Sequence, residues 1–177
     1  TPGGVSLYIV KVFGDSGTWT YSSTLVDAAY KCRDAGAKVI SMSLEGANFS
    51  SIENYVFNQL YNTNGILSVA AAGNSGGTAY SYPASYDAVI SVGAVDQNSN
   101  VASFSRRNDK VELVAPGVSI FSTFKNSSYA YMSGTSMATP HVAGIVALML
   151  EANPYLTPAQ VKDIIERTAT NMTGRVY

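Results

Sequence analysis

Histidine is the scarcest chemically useful residue in this chain: there is one, His141. Cysteine is as rare, with Cys32 alone. A single cysteine excludes an internal disulfide and a cysteine-rich metal site. Charge is sparse too. Charged residues make up 13% of the 177, where a soluble domain usually carries about 25%. Eleven basic against twelve acidic residues leave a net charge of −1, which excludes a basic nucleic-acid footprint and an acidic tail. Long hydrophobic runs are missing. The longest, Val142–Leu150, falls far short of the roughly 20 residues of a membrane span. The opening Thr1-Pro2-Gly3-Gly4 is not a basic region leading into an apolar one, so no signal peptide is legible. Apolar residues are plentiful at 46%, which argues against disorder. The length suits one domain. For Cys32 two readings stay open: a small buried hydrophobe, or half of a disulfide to a segment outside this sequence.

The elements alternate along the chain. Val5–Val12 is apolar and β-branched and ends in the turn cluster Gly14-Asp15-Ser16-Gly17, which predicts a strand. Thr24–Ala35 carries Leu25, Ala28, Ala29, Cys32 and Ala35 at helical spacing, with Gly36 placed to stop it. Lys38–Ser43 reads as a buried strand. Ser50 and Glu53 offer a capping box for a helix whose face is Ile52, Val56 and Leu60. Gly65–Ala72, Val89–Val95 and Val111–Val114 are three further strands. A long helix follows Gly134-Thr135-Ser136 and runs to Asn153-Pro154. It is apolar almost all round and so is predicted to be buried. The last helix starts at Thr157-Pro158-Ala159-Gln160, with Val161, Ile164, Ile165 and Thr168 on its inner face. This alternation predicts an α/β fold, a mostly parallel sheet with helices on both faces. Ligands of such sheets bind beyond the carboxyl ends of the strands. Ser43-Leu44-Glu45-Gly46 and Ala72-Gly73-Asn74-Ser75-Gly76 both follow strand ends and are binding-site candidates.

Ser136 opens a long helix among small residues. The helix dipole and free backbone N–H groups at that end favour a developing negative charge. A serine there is either a nucleophile or an ordinary cap. Asn74 is either an oxyanion donor or a turn residue beside glycine. Taken together, the segments decide. Gly134–Gly144 reads Gly-Thr-Ser-Met-Ala-Thr-Pro-His-Val-Ala-Gly, and Ala71–Asn74 reads Ala-Ala-Gly-Asn. Tyr82-Pro83-Ala84, Val92–Asp96, Ala102–Ser105 and Ala115–Val118 follow in order. In these segments, and over nearly its whole length, the chain resembles the subtilisin family of serine endopeptidases.

That resemblance implies Ser136 as nucleophile, Asn74 as the oxyanion-hole amide and Thr135 as its support. It implies a substrate lying extended between two edges, Ser43-Leu44-Glu45-Gly46 and Gly17-Thr18-Trp19. Ala71, Ala72, Gly73 and Ser81 would line the pocket for the residue before the scissile bond, and Tyr21 a more distant apolar one. Glu45 stands where the family usually has glycine. A carboxylate there would favour basic substrate side chains, unless it points to solvent.

The triad also needs an aspartate and a second histidine. Asp15-Ser16-Gly17 imitates the aspartate motif but follows a strand that, in the family, comes after the catalytic histidine, so the role is not carried to Asp15. The family's histidine motif is absent. His141 lies five residues past Ser136, about 140° around the helix and roughly 7.5 Å along it, and is read as structural. Residues 1–177 are therefore expected to be the C-terminal part of one subtilisin-like catalytic domain. An N-terminal segment would supply the aspartate and histidine, and the chain alone would be inactive. The sheet is then incomplete, because the aspartate strand belongs between Val5–Val12 and Lys38–Ser43. The expected partners are a protein or peptide substrate, that segment and an inhibitory propeptide, with neither nucleic acid nor membrane. The chemistry needs no cofactor. Calcium is an expectation for the full-length protein, with carbonyls near Ala84, Tyr86 and Val89 as the local candidates. The expected location is extracellular. The alternative is a non-catalytic homologue that binds peptides or proteins.

Overall fold

The computed structural model describes residues 4–15 and 22–172. Four strands form one parallel sheet: β1 (Val39–Met42), β2 (Leu67–Ala71), β3 (Val89–Val95) and β4 (Val111–Pro116), in that spatial order. Every residue of β2 and β3 is buried. Near-continuous apolar strands of this kind need cover on both faces. On one face α1 (Ser22–Asp34) and α2 (Ser51–Asn62) bury Leu25, Val56, Phe57 and Leu60 against Ile40, Met42 and Ala70. On the other face α3 (Thr135–Ala152) and α4 (Pro158–Thr168) bury Val142, Val146, Val161 and Ile165 against Val69, Val92 and Leu113. The result is a three-layer α/β arrangement.

The helix ends are fixed by the expected residues, with one change. Thr157 and Gln160 form the complete capping box of α4. At α2, Ser50 Oγ accepts from the Glu53 N–H at 3.3 Å, but Glu53 does not reach back. Tyr86 completes the cap instead. Its hydroxyl accepts from the Ser50 N–H at 3.0 Å and lies 2.8 Å from Glu53 Oε2. Glu53 is thereby buried, whereas the expected face residue Ile52 is 63% exposed. On α4, Thr168 is exposed as well.

Three further expectations are corrected. Residues 5–12 form no strand. They run largely exposed past β1 without pairing to it, and a cavity of about 1090 Å³ lies between them, β1 and α3. A strand forms only where a ladder partner is in reach, and here the cavity intervenes. Cys32 is half-buried at its wall. Second, α3 is not buried all round. One flank packs on the sheet, Pro140, Gly144, Ala147 and Leu150 border the cavity, and Ile145 and Leu148 are exposed. Third, an antiparallel hairpin, β5 (Ile120–Phe124) and β6 (Ser128–Met132), was not foreseen. Its turn uses Asn126 and Ser127 at positive φ.

Candidate active site

Asn74 and Ser136 meet at the carboxyl edge of the sheet. Asn74 follows β2, and Ser136 is the second residue of α3. The first residue of α3, Thr135, is fully buried and organises the pair. Its N–H donates to Asn74 Oδ1 at 2.8 Å, and its hydroxyl donates to the same oxygen at 3.0 Å. Thr135 Oγ1 in turn accepts from the Gly73 N–H at 3.2 Å. Two donors on one amide oxygen fix the amide's orientation. Asn74 Nδ2 therefore remains as the donor beside the helix N-terminus, where developing negative charge is also favoured by the dipole.

Two glycines permit this approach. Gly117 follows β4, and a Cβ on it would lie 2.6 Å from Ala94 Cβ and 2.8 Å from the Gly134 carbonyl oxygen. Only glycine lets the Gly134 N–H reach the Gly117 carbonyl at 2.8 Å. Gly73 has φ +112°, in the region that disfavours other residues.

Pro140 sits inside α3. Proline has no N–H for the carbonyl four residues back, which is that of Ser136. Ser43 Oγ donates to this carbonyl at 2.8 Å, so the segment after β1 is fastened to Ser136 itself. His141 does not serve Ser136. It is exposed, and its Nδ1 meets the Met137 carbonyl at 2.8 Å. Hydrogen bonding, not packing, accounts for it.

The other expected site residues divide. Leu44 packs against the α1–α2 core. Gly46 spends both backbone groups on Tyr82, at 2.7 and 2.8 Å, so it is not available to pair with an extended peptide. Ala71 and Ala72 are buried. Ser81 is 1% exposed and donates to the Ala72 carbonyl rather than facing an open pocket. Glu45 does not point to solvent. Its Oε1 accepts from the Asn74 N–H at 3.1 Å, and its Oε2 lies 3.5 Å from Arg106 Nε. Arg106 was missed; its only signal was the Arg106-Arg107 pair directly after Ala102–Ser105. Gly17, Thr18, Trp19 and Tyr21 lie outside the described residues. Asp15 is exposed and paired with Lys11.

The loop that carries the Ala84, Tyr86 and Val89 carbonyls has several of its polar groups engaged. Asp87 within it takes the Lys110 ammonium on its carboxylate at 2.7 Å and the Lys162 ammonium on its carbonyl at 3.3 Å. The Tyr86 carbonyl accepts from the Val89 N–H. Among the described residues no three His, Cys, Asp or Glu side chains group as metal ligands.

The Subtilase family profile (Peptidase_S8) matches residues 3–176. The chain belongs to the subtilase family. As a subtilase it is 45% identical to subtilisin DY of Bacillus licheniformis, with 98% of this chain and 64% of that protein covered. It is 42% identical to thermitase of Thermoactinomyces vulgaris, covering 96% of this chain and 59% of the relative. The chain thus spans less than two thirds of either relative's length. Among solved structures, a cold-adapted subtilisin-like serine proteinase superposes with a TM-score of 0.85 at 32% identity, covering 94% of this chain and 60% of that one. The psychrophilic subtilisin-like protease Apa1 of an Antarctic Pseudoalteromonas gives 0.84 at 25% identity, covering 92% and 71%. No helix of the described subtilase chain is long and apolar enough to cross a membrane.

Proposed function

We propose that this subtilase chain is the nucleophile-bearing part of a secreted serine endopeptidase. Ser136 Oγ attacks the scissile carbonyl and forms an acyl-enzyme. The tetrahedral oxyanion accepts hydrogen bonds from Asn74 Nδ2 and the Ser136 N–H. A histidine takes the serine proton and returns it to the leaving amine, while an aspartate holds that histidine's tautomer. Both belong to an N-terminal segment, because the sequence has one histidine and it is bonded to Met137. A propeptide that blocks the site before maturation belongs to the same reading. Calcium in the full-length protein belongs to the same reading, with the carbonyls near Ala84, Tyr86 and Val89 as the local candidates.

The observation that carries the reading is the double grip of Thr135 on Asn74 Oδ1. A module that only bound peptides would need no amide oriented beside a helix-terminal serine. The cavity beside β1, about 1090 Å³ and lined by Leu25, Ile40, Met42 and Ala143, supports the placement of the N-terminal segment. A strand seated there would pair with the open edge of β1.

Cleavage of unstructured protein substrates by the full-length protein, with Ser136→Ala as control, tests this. Cleavage abolished by the substitution is expected. Cleavage that survives it would refute the assignment, and peptide binding without any cleavage would favour the non-catalytic homologue.

A further inference from the structure

We propose that Glu45 and Arg106 fill the pocket for the residue before the scissile bond and select substrates with a small side chain there. This rests on the proposed endopeptidase reading of the site. The expected walls of that pocket are Ser43–Gly46 and Ala71–Gly73. A Cβ built on Gly73 would lie 2.1 Å from Glu45 Oε2 and 2.6 Å from Arg106 Nε. Both charged groups therefore rest on the Gly73 Cα, between the walls.

The pair is anchored at both ends. Glu45 Oε1 holds the Asn74 N–H. Arg106 donates through Nη1 to the Ala79 carbonyl at 3.2 Å, and its own N–H donates to the Gly73 carbonyl at 3.1 Å. The arginine side chain is 14% exposed and the glutamate 30%. A large apolar group entering here would have to part a half-buried ion pair and leave each charge without its partner, which is strongly unfavourable. A methyl group leaves the pair in place. The same contact opposes a preference for basic side chains: the guanidinium 3.5 Å from Glu45 Oε2 offsets the carboxylate and repels an incoming cation.

The test is calorimetric binding to the full-length protein of three product-type peptide acids, Ala-Ala-Pro-Ala, Ala-Ala-Pro-Phe and Ala-Ala-Pro-Lys. Binding needs no catalysis, so it separates this proposal from the proposed activity. The alanine peptide is expected to bind at least tenfold tighter than the other two. In Glu45→Gly the Phe-to-Ala affinity ratio should rise at least tenfold. Glu45→Gln keeps the side chain's size and its acceptor for the Asn74 N–H but removes the ion pair, so exclusion of phenylalanine should weaken, by less than in Glu45→Gly. Equal binding of all three by the unaltered protein, binding of none, or an unchanged ratio in Glu45→Gly would overturn the proposal. Small-residue selectivity in binding without Ser136-dependent cleavage would overturn the activity reading alone.

Discussion

Ser43 donates its hydroxyl hydrogen to the main-chain carbonyl of Ser136 at 2.8 Å, across 93 positions of sequence. The bond exists because Pro140 cannot supply the usual helical donor. It ties the end of β1 to the first turn of α3, and so links the expected substrate edge to the expected nucleophile. Ser43→Ala leaves that carbonyl unpartnered. Loss of one such bond should cost about 1 kcal/mol of folding stability. Urea unfolding of the full-length protein checks this; unchanged stability would contradict it.

The Asn74 amide is predicted to act on the rate. On the proposed reading, Asn74→Ala should lower kcat about 10²–10³-fold with little change in KM, the size of effect expected for losing one oxyanion-hole donor. Thr135→Val removes one of two donors to Asn74 Oδ1 and should give a smaller fall, about tenfold, again in kcat. Thr135→Ser keeps the hydroxyl and should restore most of it. A fall confined to KM would place these residues in substrate binding rather than in orienting the amide.

Much of this was legible in the sequence. The parallel strands and their helices follow from alternating apolar runs, and Asn74, Thr135 and Ser136 from their motifs. What escaped depended on neighbours distant in sequence. Tyr86, not Glu53, completes the α2 cap, and nothing near Ser50 announces a tyrosine 36 residues on. Arg106 meets Glu45 only because the loops after β1 and β3 converge on Gly73, beyond the end of β2. The segment 5–12 has strand composition but no partner in reach, so composition alone misled. The β5–β6 hairpin was hidden by a glycine-free turn and by aromatic residues that face outward, among them Phe121, Tyr129 and Tyr131.

Tyr86 gives a stability prediction. Burial, with the neighbouring Glu53 carboxylate adding to it, pushes its phenol well above the ordinary tyrosine range, so it stays a neutral donor. Tyr86→Phe leaves the buried Glu53 carboxylate and the Ser50 N–H without that partner. The expected cost is about 1–3 kcal/mol, read from urea unfolding of the full-length protein. Unchanged stability would contradict the capping role.

Glu112 gives a pH prediction. Burial raises its carboxyl above the ordinary value, and the Lys162 ammonium only partly offsets this. The folded state then holds a proton at pH values where the unfolded state, titrating near about 4.3, has lost it. Stability therefore falls as pH rises from there through the raised value. Glu112→Gln should remove that part of the slope, whatever constant offset it adds. Urea unfolding of both proteins across a pH series checks it, and parallel profiles would contradict the assignment.

The most direct test is labelling of the 177-residue chain with a fluorophosphonate probe, with Ser136→Ala as control and intact-mass analysis of each sample. The account predicts no labelling of the chain alone. Labelling should appear when the N-terminal segment is present, and Ser136→Ala should abolish it. Ser136-dependent labelling in a sample whose mass spectrum holds only this chain would contradict the account, because a base would then have to come from within these residues.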